Sequence, residues 1–221
     1  MDSSIQTIAN DVIRAAKLLY ERGLVNAYEG NVSARIPGDR LLITPSQVCK
    51  AELTGSDLVE VDILTGETVS AANNRVASSE VKMHICCYLT RADIMGVAHA
   101  HPVHATAFAL CGMPIETRAY PEMMVLYGKI PICAYGRPST QSLCAGIPEA
   151  LSSYDAFLLA NHGLTTTGAS AMEAAYKLEG IESIASTLIK ARSMGGEKAL
   201  PVDEVEALEQ WRLKIRSNLH E

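Results

Sequence analysis

The stretch Asp93-Ile94-Met95-Gly96-Val97-Ala98-His99-Ala100-His101-Pro102 decides how this chain is read. Its short apolar run, closed by a proline, has the form of a β-strand rather than a helix. Along a strand, residues i and i+2 project from the same face, so His99 and His101 aim two imidazoles at one point in space. Neutral imidazole is the commonest protein ligand for zinc and its neighbours. One histidine on an apolar strand is ordinarily a core residue with its hydrogen bonds satisfied. Two on one face with no shared ligand would bury polar groups that each need a partner.

Outward from this doublet, His162 ends a second apolar run, Ala156-Phe157-Leu158-Leu159-Ala160-Asn161, immediately before Gly163. Glu80 follows Ser78-Ser79 at the start of a helix-like stretch over 80–91. Three histidines at strand ends plus one helix-start glutamate is the composition of a catalytic metal site. Glu80 also has a plainer reading, as an acid that complements the helix dipole. Ser78 and Ser79, with the free N–H groups of that helix start, form a candidate anion site. Gly30-Asn31 offers a loop of exposed amides and Thr44-Pro45-Ser46 a hydroxyl-bearing turn, each of them ordinary turn chemistry when taken alone. A carboxylate beside both a metal and a phosphate suits proton abstraction next to a carbonyl. His84 and His104 read as structural or supporting residues, and His220 as a solvated one.

The rest of the chain reads as a mixed α/β fold. Helices are expected over 5–22, 80–91, 104–110, 141–152, 171–194 and 202–219. A hairpin is expected over 31–45 around Pro37-Gly38-Asp39-Arg40, with further strands over 58–62, at His99, over 129–132 as an edge, and leading into His162. There is no G-x-G-x-x-G fingerprint, internal repeat or linker. The expected organisation is one domain over 1–221, with 201–221 as a C-terminal helical tail; 221 residues suit a single core, which keeps growing until roughly 250 residues.

Composition excludes several classes of function. The net charge is −6 with no basic cluster, so nucleic acid and anionic membrane surfaces lack the positive footprint they need. No apolar run approaches the roughly 20 residues of a membrane-spanning helix. Met1-Asp2-Ser3-Ser4 opens without a basic or apolar leader, and the six cysteines include no C-x-x-C pair and lie mostly in apolar segments. The expected compartment is the cytoplasm, with reduced thiols.

Five motifs stand in one order: Glu29-Gly30-Asn31-Val32-Ser33, Leu42-Ile43-Thr44-Pro45-Ser46, Ser78-Ser79-Glu80, His99-Ala100-His101 and Asn161-His162-Gly163-Leu164. In that order they resemble the class II aldolase/adducin family over residues 5–194, on the side of its L-fuculose-1-phosphate aldolase-type members. The resemblance implies a central, mostly antiparallel sheet flanked by helices, assembled as a C4 homotetramer with active sites at subunit interfaces. It implies that His99, His101 and His162 bind Zn2+ (Mn2+ or Co2+ being alternatives) and that Glu80 ligates the resting metal, then serves as acid and base. Gly30, Asn31, Ser46, Ser78 and Ser79 would hold the substrate phosphate, and Tyr120 would stabilise the aldehyde oxygen.

The implied reaction is metal-dependent cleavage of a ketose 1-phosphate to dihydroxyacetone phosphate and an aldehyde. The same site would also serve a sugar-phosphate 4-epimerase, a methylthioribulose-1-phosphate dehydratase or a phosphorylated oxo-acid decarboxylase. The epimerase branch carries aspartate where Glu80 stands, which favours the aldolase side. Adducin-like binding modules lack the metal ligands, and cupin oxygenases place their glutamate soon after the H-x-H in an all-β chain. The family's C-terminal tyrosine has no counterpart, since the segment after Pro201 carries only Trp211 as an aromatic residue.

Overall fold

The structure is a computed structural model that describes residues 3–218. Helix α1 (Ser3–Glu21) buries Ala9, Val12, Ala15, Ala16 and Leu19, the spacing of a single helical stripe. Strands β1 (Asn31–Ile36) and β2 (Arg40–Ile43) pair as the expected hairpin, and β3 (Val59–Asp62) and β4 (Thr68–Ser70) continue the sheet outward. After α2 (Val81–Thr90), strand β5 (Gly96–Ala100) returns to pair with β1. The chain goes on through α3 (Val103–Leu110), β6 (Ile132–Cys133), α4 (Ile147–Ser153), β7 (Ala156–Leu159) and β8 (Gly163–Gly168). Two helices follow, α5 (Ala171–Ser193) and α6 (Val202–Asn218).

The strands form one eight-stranded sheet in the order β4-β3-β2-β1-β5-β8-β7-β6. Every pairing is antiparallel except β6 with β7. The expected α/β fold with a mostly antiparallel sheet and flanking helices is therefore the observed one.

Side-chain alternation sorts the strand residues between two cores. Val32, Ala34, Ala98, Ala100 and Leu164 join the cluster under α1, α3 and α5. Val97 and Phe157 join the opposite cluster, with Met83 and Cys87 of α2 and Leu151 of α4. With a period of two, Asn31 and Ser33 of β1, His99 of β5 and Thr165 of β8 face the α2 side. The register sets them in a row, with Asn31 opposite His99 and His99 opposite Thr165. The start of α2 thus lies over a polar row inside an otherwise apolar layer.

Several expectations need correction. The helix expected over 141–152 is two pieces, a 3-10 turn at Gln141–Cys144 and then α4. Gly146 in the left-handed region and Pro148 in the first turn of α4 separate them. The edge strand expected over 129–132 is displaced to Ile132–Cys133, while Ile130 bonds to Ile115 instead. His162 does not end a strand: it lies in the tight turn between β7 and β8, after Asn161 at φ +57. Strands β4 and β8 and the helical turn at Met123–Tyr127 are additional to the sequence reading. Among the described residues no helix is long and apolar enough to cross a membrane.

Candidate metal centre

Glu80, His99, His101 and His162 offer one ligand atom each, all within 4.8 Å of one another. Glu80 is not in the helix as expected but caps it, the residue before Val81, so its side chain leaves the helix start toward the sheet. His99 comes from inside β5, His101 from one residue beyond it, and His162 from the β7–β8 turn. Nε2 of His99 lies 3.1 Å from Nε2 of His101 and 3.3 Å from Oε2 of Glu80. Nε2 of His162 lies 3.0 Å from Oε1 of Glu80.

The hydrogen bonds around these groups fix how they point. The Thr165 hydroxyl donates to the Met83 sulfur, so its oxygen, 2.9 Å from His99 Nδ1, accepts the proton of that nitrogen. His99 Nε2 is then a bare lone pair aimed at His101 and Glu80. His101 Nδ1 lies 3.9 Å from the Glu29 carboxylate, beyond hydrogen-bond distance. Glu80 Oε1 is buried with no hydrogen-bond partner, an arrangement that costs free energy if nothing else occupies the site. Converging lone pairs and an orphaned carboxylate oxygen are what a divalent cation satisfies. The donor set, three imidazoles and one carboxylate, fits zinc and the neighbouring divalent ions.

Electrostatics agree with the geometry. Burial holds His99 down to about 3, against the pull of Glu80, and burial also lowers His101. Both are neutral at physiological pH, the form that ligates a metal. Burial acts to raise the Glu80 carboxyl, but His99, His162 and the Asn31 amide outweigh it and hold the group well below the usual carboxylate range.

The five candidate phosphate residues form two groups. Gly30, at φ +71, packs so closely that a Cβ there would lie 3.0 Å from the His99 carbonyl oxygen and 2.4 Å from Val25 Cγ1. The Asn31 side chain is already committed, donating to Glu80 Oε2 at 2.9 Å and accepting from His84 Nε2 at 2.5 Å. Ser46 is drawn to the start of α2: its N–H donates to the Val76 carbonyl and its hydroxyl to the Ala77 carbonyl. Ser78 accepts from the Glu80 N–H at 3.3 Å, which leaves its own hydroxyl hydrogen free to donate, and Ser79 is exposed.

Tyr120 is half-buried and packs against the core cluster of α1, α3 and α5. His104 is structural, as expected: Glu182 accepts from its ring and from the N–H groups of His104 and Ala105, capping α3. His220 lies outside the described residues. Asn31 as a partner of Glu80, Ser33, Tyr88 and Thr165 went unrecognised in the sequence, although Glu80, His84 and Tyr88 recur at the four-residue spacing of one helix face.

Fold and cluster together define a protein of the class II aldolase type. The family model for "Class II Aldolase and Adducin N-terminal domain" matches residues 10–189, and the chain belongs to this family. The chain is similar to the 5-methylthioribulose-1-phosphate/5-deoxyribulose-1-phosphate aldolase of Rhodospirillum rubrum, with 33% identity over 96% of this chain and 94% of that protein. It is 30% identical to the 3-oxo-tetronate 4-phosphate decarboxylase of Pectobacterium atrosepticum over 84% of this chain and 85% of that protein. Among solved structures, an L-fuculose 1-phosphate aldolase superposes with a TM-score of 0.82 at 29% identity, covering 92% of this chain and 95% of that one.

Proposed function

We propose that the chain is a divalent-metal-dependent aldolase that cleaves a ketose 1-phosphate, L-fuculose 1-phosphate or a related deoxy-ketose phosphate, to dihydroxyacetone phosphate and an aldehyde. The observation that carries this reading is the unpartnered Oε1 of Glu80 within the cluster it forms with three imidazoles. His99, His101, His162 and Glu80 would hold the ion, with Zn2+ favoured and Mn2+ or Co2+ compatible with the same donors. When bound, such an ion supplies Lewis-acid stabilisation of the negative charge that develops on substrate oxygens as a carbon–carbon bond breaks.

The chain's own groups supply the rest. Ser78, Ser79, Ser46 and the Gly30-Asn31 main chain bind the phosphate around the start of α2, where the helix dipole favours an anion. Ser78 donates with its free hydroxyl hydrogen, whereas Ser46 must first release the Ala77 carbonyl. Glu80, ionised at rest, moves the proton at the carbon of the dihydroxyacetone half. Tyr120, packed against the core cluster of α1, α3 and α5, would serve the site of a neighbouring copy in a C4 homotetramer. Similarity to an aldolase of 5-deoxy-ketose phosphates over 96% of the chain supports a deoxy sugar as the substrate.

A second reading, decarboxylation of a phosphorylated 3-oxo acid, is favoured by similarity to the 3-oxo-tetronate 4-phosphate decarboxylase. Both reactions leave negative charge beside a carbonyl, so one site can serve either. A product screen separates them: the metal-loaded protein is given ketose 1-phosphates and phosphorylated oxo acids. Dihydroxyacetone phosphate with an aldehyde supports the aldolase, and carbon dioxide from the oxo acid alone replaces it with the decarboxylase.

A further inference from the structure

Behind Glu80 a string of buried side chains runs into the core. Glu80 Oε2 lies 2.9 Å from Asn31 Nδ2, and Asn31 Oδ1 lies 2.5 Å from His84 Nε2. His84 Nδ1 lies 2.6 Å from Ser33 Oγ, which lies 2.7 Å from the Tyr88 hydroxyl. Asn31, Ser33, His84 and Tyr88 are all buried, so no water competes for these bonds.

The string has one allowed direction. An ionised carboxylate only accepts, so Asn31 must turn its NH2 group toward Glu80. Its carbonyl oxygen then faces His84, which must offer Nε2–H. The lone pair left on His84 Nδ1 takes the Ser33 hydroxyl hydrogen, and the Ser33 oxygen takes that of Tyr88. The far end is anchored in turn, because Arg35 donates to the Tyr88 carbonyl at 2.6 Å and its guanidinium lies over the Tyr88 ring. With His84 unable to donate, the Asn31 amide would be free to flip and set its oxygen against Glu80, two acceptors face to face.

We infer that His84 is a positioning residue for Glu80. Acting through Asn31, it pins Oε2 and thereby turns Oε1 toward the three imidazoles. Ser33 sets the His84 tautomer, so it belongs to the same device. This inference rests on the metal-centre reading above and adds residues that touch neither metal nor substrate.

The test is a thermodynamic cycle on zinc affinity, measured by chelator competition with the full chain. Four proteins are compared: unsubstituted, His84→Leu, Glu80→Ala and the double variant. If His84 acts through Glu80, His84→Leu weakens zinc binding about tenfold or more when Glu80 is present, and less than about twofold in the Glu80→Ala background. Ser33→Ala, a smaller change in volume, weakens binding in the same Glu80-dependent way by about threefold or more. Equal weakening in both backgrounds, or none in either, overturns the inference while leaving the metal centre standing. Failure of the unsubstituted protein to bind zinc, manganese or cobalt overturns both.

Discussion

At the scale of single residues, the centre turns on one carboxylate with unlike oxygens. Oε2 of Glu80 is held by the Asn31 amide, while Oε1 has no hydrogen-bond partner. Glu80→Gln keeps the shape and removes the proton acceptor, so kcat should fall by about 10²–10⁴. The three imidazoles should still retain bound metal, measured by elemental analysis. Full activity in this variant would remove Glu80 from proton transfer. The buried histidines give a second prediction. His99 is held down to about 3 and His84 to about 4, both by burial, whereas an unfolded chain binds these protons near 6.5. Between pH 6.5 and 4 the unfolded state therefore takes up more protons, and stability falls as pH falls, by about 1 kcal/mol per pH unit for each group. Thermal melts of the metal-free protein should show the midpoint dropping across this window, and a flat midpoint would contradict the buried neutral state.

At the scale of elements, the site depends on close backbone approach between the β7–β8 turn and the end of β5. A Cβ on Gly163 would lie 2.5 Å from the Ala100 carbonyl oxygen and 2.6 Å from His101 Cδ2. Gly163→Ala should therefore cost about 1–3 kcal/mol, read from the denaturant midpoint, and should lower bound metal by moving His101 against His162. Unchanged stability would show that the turn can give way. This region also marks what the sequence made legible. The H-x-H pair was readable because alternation along one strand is local, and Glu80 because S-S-E precedes an evident helix. Asn31, Ser33 and Thr165 were not, because their partners lie 49, 51 and 66 residues away and only the sheet register brings them together. β8 escaped notice because Leu164-Thr165-Thr166-Thr167 looks polar, yet its threonines are β-branched and buried, with hydroxyls bonded to Met83, Ala174 and Asp155. The break at Gly146 and Pro148 is local, a left-handed glycine followed by a proline in the first helical turn.

At the scale of the whole molecule, the sheet brings β1, β5, the β7–β8 turn and the start of α2 to one place, while Tyr120 packs against the cluster of α1, α3 and α5. If a neighbouring copy supplies that tyrosine, light scattering should give the mass of four chains, and a monomer with full activity would contradict the shared site. Family membership alone does not choose between cleavage and decarboxylation, since an aldolase and a decarboxylase both stand among the relatives at about 30% identity. The most direct test is to strip the protein with a chelator, reload it with zinc, and follow dihydroxyacetone phosphate release from a 5-deoxy-ketose 1-phosphate. Release that disappears on stripping and returns on reloading is the predicted result; release that persists after complete metal removal would contradict the account.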